Sequence, residues 1–218
     1  MSIRGRILAA ATAVTLFGAA SASANTVDLD YQTNWAFGSP AWAEKVHRTI
    51  DGTEKHVWSG LFRLTDGVQD ILAFCIEPNV WLKINEDYST SATAATDAQL
   101  LNIDKLYTSA YDQVNSKATA AGFQLALWEI MVETGTQNGF DLATGNHTVR
   151  ASSEALAAGN LFLAGIATAG SGGYDLTTYV NSGQNLVSGV TAVPLPASLW
   201  LFVCAIAGLV SARRRKLA

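Results

Sequence analysis

The sequence predicts an α+β domain, a β-sheet or barrel-like part with an inserted helical part, set between an N-terminal signal peptide and a C-terminal transmembrane helix. Three observations predict it. Uninterrupted apolar runs mark both ends of the chain, at 7–20 and 195–212. Between them, segments rich in β-branched and aromatic residues come first. Stretches with helical periodicity then come as a block, which argues against alternating βαβ units.

Taken in order, residues 1–24 open with Arg4 and Arg6, run through apolar Ile7 to Ala20 and end on the triplet Ala22-Ser23-Ala24. That is the pattern of a secretory signal peptide cut after Ala24; read instead as an uncleaved anchor, it still puts the main domain outside the cytoplasm. Residues 25–192 make up one domain, large enough to bury a real core. Strands are expected over 27–35, 56–64 and 68–76, with Thr65-Asp66-Gly67 as the turn between the last two and Asp51-Gly52 as another turn. Helices are expected over 95–114, capped by Thr96 or Asp97, over 116–133, capped by Ser116, and over 152–168, where one Asn and two glycines weaken the pattern. Leu176 to Val190 supplies a last strand. The eighteen uncharged residues from Leu195 to Ala212 reach about 27 Å as a helix, just enough to span a bilayer. Arg213, Arg214, Arg215 and Lys216 behind them belong on the cytoplasmic side.

Once both ends are set aside, eight basic residues face eighteen acidic ones, a formal balance of −10. Such a surface excludes nucleic acid as a partner. Cys204 lies in the apolar tail, so the domain carries Cys75 alone. An unpaired cysteine in an exported domain points to a free reactive thiol, a bond between chains or another covalent use. Its ordinary role would be that of a small buried hydrophobe.

The helical stretch 120–131 gives Cys75 a candidate partner. Ala120, Phe123, Leu127, Ile130 and Met131 form a stripe that faces the core, and Gln124 sits inside it. Burying that amide unsatisfied costs on the order of 1–3 kcal/mol, so Gln124 needs partners. A thiolate can attack a neutral carboxamide, expel ammonia and leave a thioester, whereas a glutamate at the same place would resist as an anion. Phe74, Phe123 and Trp128 are candidate walls against hydrolysis, and Glu77 and Glu129 are either solvated or capping groups or carriers of a proton. The bland alternative for Gln124 is an ordinary bond to a neighbouring loop.

Two stretches carry family resemblances. "FCIE" at 74–77 and "FQLALWEI" at 123–130 resemble the thioester domains of bacterial surface adhesins, whose pattern is Cys-Ile near a strand and a later Gln-x-Ala-[Ile/Leu]-Trp on a helix. Phe123 stands where that family often has threonine. The resemblance implies an internal Cys75–Gln124 thioester that forms without a dedicated enzyme and attaches covalently to a surface target. Val193-Pro194-Leu195-Pro196-Ala197, the apolar run and Arg213-Arg214-Arg215 resemble the VPLPA variant of the PEP-CTERM sorting signal at 193–218. This second resemblance implies a Gram-negative bacterium in which an exosortase removes the tail and passes the protein to the cell surface or an extracellular matrix.

Rival chemistry rests on His47, His56 and His147, any of which could pair with Cys75 in a hydrolase, with Asp141 orienting the ring. No local signature marks such a triad, and one cysteine with three separated histidines shows no zinc-ligand spacing. No cofactor is expected. The sequence therefore reads as an exported surface or biofilm-matrix adhesion protein, anchored in the membrane by its C-terminal helix until exosortase acts, that joins once to an amine or hydroxyl nucleophile. Acting without turnover, it is not an enzyme in the usual sense. The alternative is a non-covalent binding or structural component of the matrix that lacks the thioester.

Overall fold

A computed structural model describes residues 26–84, 86–90, 94–133 and 139–192. The leader, the sorting motif and the apolar tail lie outside these residues. Among the described residues no helix is long and apolar enough to cross a membrane. The chain is mixed α+β, with three α-helices and three antiparallel sheets.

The N-terminal segment is less regular than its β-branched composition predicts. It supplies only β1 (Thr26–Asp28) and β2 (Asp30–Tyr31). A long hairpin comes next, β3 (Ala43–Ile50) and β4 (Thr53–Gly60). Its two-residue turn, Asp51-Gly52, has positive φ at both positions (48° and 77°), the conformation that matches the twist of paired strands. The expected strand over 56–64 is in fact two, because the chain breaks at Leu61 and changes sheets before β5 (Phe62–Thr65). Gly60 makes that passage possible: a side chain there would overlap the Trp42 carbonyl oxygen and Ala43. The Thr65-Asp66-Gly67 turn forms as expected, with the Asp66 carboxylate accepting from the Val68 and Gln69 amides, and leads into β6 (Asp70–Cys75).

After β7 (Asp87–Ser89) come the first two helices, α1 (Asp97–Ala110) and α2 (Lys117–Val132). Thr96 with Gln99 and Ser116 with Thr119 form reciprocal caps, so the expected N-termini hold. The chain continues through β8 (His147–Arg150), α3 (Ser153–Ile166), β9 (Tyr174–Tyr179) and β10 (Leu186–Thr191). The region 176–190, expected as a single strand, is thus a hairpin. The glycines of α3 do not interrupt it. Gly122 of α2 and Gly159 of α3 let the two helices cross backbone to backbone, and a Cβ on Gly122 would lie 2.8 Å from the Gly159 nitrogen.

The sheets run β2-β5-β6-β10-β9, β4-β3-β8 and β1-β7. Helix α2 packs against both larger sheets and both other helices. Its residues Ala120 to Ile130 are buried all the way round, so the expected single core-facing stripe understates its burial. Such a helix belongs to the interior of the molecule.

Candidate functional site: a cysteine and a glutamine bracketed by one another's hydrogen bonds

The site begins with an unfinished ladder. Strand β6 pairs with β10 on one side, and the Ile76 amide donates to the Asn185 carbonyl. In an antiparallel pair alternate residues bond to alternate sides, so Cys75 directs its N–H and C=O toward the β5 side. There β5 begins only at Phe62, opposite Ala73, because the chain has just left the other sheet. The two backbone groups of Cys75 are buried and have no strand to pair with.

Gln124 takes the place of that strand. From the middle of α2 its Oε1 accepts from the Cys75 amide at 2.8 Å, and its Nε2 donates to the Cys75 carbonyl at 2.7 Å. Both residues are 1 % exposed. One helical turn on, the Trp128 indole N–H donates to the Cys75 sulfur at 3.3 Å. The three side chains that the sequence singles out, Cys75 and Gln124 being 49 positions apart, therefore meet at one point. The amide carbonyl is polarised by a backbone N–H, the arrangement that stabilises charge developing on an attacked carbonyl oxygen.

Burial pushes the Cys75 thiol up to about 12, against the opposing pull of the Trp128 hydrogen bond, the Glu77 backbone amide and the Arg48 charge. At neutral pH the sulfur in this fold carries its proton. Attack on the amide would thus pass the proton from sulfur to the departing nitrogen, with no free thiolate.

Arg48 is the residue that sequence reasoning missed. It comes from β3, whose inward face reads Glu44, Val46, Arg48, Ile50; two charges on a buried face hid the strand's alternation. Arg48 is 1 % exposed. Its guanidinium lies 5.3 Å from the Trp128 ring centroid and donates to Asn79 Oδ1 and to the Pro78 carbonyl. Among the described residues it forms no ion pair, and its Nε has no partner. Burial lowers its pKa, and the neighbouring Cys75 acts in the opposite sense.

Cys75, Trp128 and Arg48 line a cavity of about 370 Å³, within the range of small-ligand sites. Its aromatic walls are Trp35, Phe37, Phe62, Trp58 and Trp81. Phe74 and Phe123, expected as walls, instead pack on each other at 4.7 Å and against Tyr111 in the core. They back the site without bordering the cavity.

The acidic neighbours differ from expectation. Glu77 is half-buried and accepts from the Asn185 amide, which steadies the chain just after Cys75. Glu129 is 1 % exposed, neither solvated nor a helix cap. It accepts from the Asp141 amide and bonds to His147 Nδ1 at 2.9 Å. His147, wholly buried, is committed to that contact, while Asp141 closes its own turn through Ala143 and Thr144. The triad of Cys75, His147 and Asp141 is therefore not assembled. His47 and His56 lie with ring centroids 3.8 Å apart and planes tilted by 47° on the β3–β4 hairpin, and His47 faces Glu54. These three could hold a metal ion, since their ligand atoms lie within 4.8 Å of one another. Antiparallel register unites them, which linear spacing does not reveal.

Compared with family models, curated proteins and solved structures, the chain gives no match to any of the three.

Proposed function

We propose that the domain carries an intramolecular Cys75–Gln124 thioester and serves for single-turnover covalent attachment of an exported protein to a nucleophile on a surface. The observation that carries this reading is the seating of the Gln124 carboxamide on the Cys75 backbone, buried, with its carbonyl oxygen on the Cys75 N–H. The step balances: the Cys75 S–H and the Gln124 carboxamide give a thioester and one ammonia, the thiol proton leaving on nitrogen. The product has no charge, which suits an apolar setting. An incoming amine or hydroxyl would take the Gln124 acyl group and return the thiol.

The resemblance to surface-adhesin thioester domains supports the same reading. In such a domain the helical part, here α1 and α2 between β7 and β8, is an insert in a barrel-like sheet. The leader and the VPLPA-type tail support export, processing by an exosortase and delivery to the cell surface or matrix of a Gram-negative bacterium.

Intact-mass measurement of the full-length chain in detergent tests the proposal. The expected result is a mass lower by one ammonia than the sequence requires and a gain of one methylamine on treatment. Cys75→Ala and Gln124→Ala are each expected to abolish both effects. A full sequence mass with no methylamine adduct overturns it.

A second reading is favoured by one specific feature. The same two hydrogen bonds fully occupy the Cys75 backbone and satisfy the amide, so Gln124 can serve as a structural clasp in a non-covalent matrix component. That reading predicts no mass deficit.

A further inference from the structure

We propose that the cavity over Cys75 selects a carboxylate-bearing polysaccharide, and that the group acylated is a sugar hydroxyl rather than a protein amine. The inference rests on the thioester reading and names its substrate class.

The walls come first. Trp35 meets Phe37 and Trp58 edge-on at 5.2 Å each, and Phe37 stacks on Phe62 at 4.8 Å. Trp58 and Trp81 remain 41 % and 82 % exposed. Flat apolar faces of this kind, left open to water, lie against the C–H faces of sugar rings and bury them without ordering flexible side chains. Asn34, Asn79 and Gln184 add hydrogen-bonding groups among them, the few polar positions that orient a ligand in a mostly apolar site.

Charge then separates the candidates. Among the described residues no carboxylate lines the cavity, whereas Arg48 and Lys55, opposite one another across the β3–β4 ladder, both do. Lys45 lies 5.4 Å from the Trp58 ring centroid and adds the same sign. An ammonium group entering past Arg48 and Lys55 meets like charge, and no carboxylate among the described lining residues receives it. A carboxylate meets the opposite. Arg48 is a buried cation without a counter-ion among the described residues, and its Nε is unpartnered; such a group is costly to bury and gains from an anion delivered to it. The domain's overall balance of −10 acts at longer range, where salt screens it beyond about 8 Å.

The transfer balances without a further reactant. The sugar O–H and the Gln124 acyl–sulfur bond become a Gln124 acyl–oxygen ester, and the proton ends on the Cys75 sulfur. Trp128 donates to that sulfur and so stabilises it as leaving group.

The test uses the full-length chain in detergent, incubated separately with methylamine, oligogalacturonate, maltoheptaose and a lysine-containing peptide at equal concentration, and read by intact mass. The expected result is a methylamine adduct and an oligogalacturonate adduct that hydroxylamine removes, as it does esters. Maltoheptaose and the peptide should each label at least several-fold more slowly. Trp81→Ala, an exposed position, should cut oligogalacturonate labelling several-fold more than it cuts methylamine labelling. Arg48→Gln and the exposed Lys55→Gln should erase the preference over maltoheptaose. Methylamine labelling with no oligogalacturonate adduct, or with peptide labelling as fast, overturns the substrate class alone. Absence of the methylamine adduct removes the thioester and this inference with it.

Discussion

At the scale of residues, the site turns on how one amide satisfies two backbone groups. Replacing Gln124 by alanine strips partners from the buried N–H and C=O of Cys75, and each lost partner costs about 1–3 kcal/mol. Gln124→Ala should therefore lower the urea midpoint of the chain as well as remove the mass deficit. Gln124→Glu keeps the shape and should restore part of the stability but none of the mass deficit, because a carboxylate does not expel ammonia. In Gln124→Ala the thiol is free and its pH response can be read. The folded pKa, about 12, lies above the value of about 8.5 for an unfolded cysteine. The stabilising contribution of the neutral thiol is thus fully present below about pH 8.5 and is lost as pH rises toward 12. Burial also raises Tyr107 and several other tyrosines. The informative quantity is therefore the difference from the Cys75→Ala, Gln124→Ala double variant, and that difference should change between about pH 8 and about pH 10.5 in chemical denaturation.

At the scale of elements, α2 is the strut that carries the site, and its close crossing with α3 sets its position. A side chain at Gly122 meets the Ala155 carbonyl, Ala158 and Gly159 at 2.8 Å. Gly122→Val should destabilise the fold by about 1–3 kcal/mol through overpacking, measured by urea unfolding, and should slow thioester formation by shifting Gln124. Below the helix, His147→Ala leaves the Glu129 carboxylate buried without its imidazole. Losing that buried hydrogen bond costs about 1–3 kcal/mol, a loss that thermal unfolding would register without any change in methylamine chemistry in the protein that remains folded.

The same scale explains what the sequence disclosed. The first two helices were legible because their caps are local, Thr96 and Ser116 each accepting from an amide three residues on. The third was legible from its apolar pattern alone, without its cap, Ser152, which accepts from the Ala155 amide. The meeting of Cys75 and Gln124 was legible from chemistry, since a buried amide needs partners. Strand β3 was not, because Glu44 and Arg48 occupy its inward face and find their partners far along the chain, at Ser152 and Asn79. The breaks at Leu29 and Leu61 were also hidden, as a strand that changes sheets keeps its β-forming composition. Glu129 looked solvated because its partner, His147, arrives from a later strand.

At the scale of the whole molecule, the proposed function assigns delivery to the two ends and attachment to the middle. Replacing Arg213, Arg214 and Arg215 by alanine should leave the tail uncleaved and the protein in the membrane fraction, assayed by immunoblotting of fractionated cells in a host that contains exosortase. The thioester should be unaffected, since its residues lie in a core formed by α2 and two sheets. The most direct measurement is peptide mapping of the full-length chain after pepsin digestion at acidic pH, where thioesters persist. A Cys75–Gln124 thioester predicts a single linked species that joins the peptide containing Cys75 to the peptide containing Gln124, lighter than the pair by one ammonia. Recovery of the two peptides separately, with a free thiol and an intact carboxamide, would contradict it.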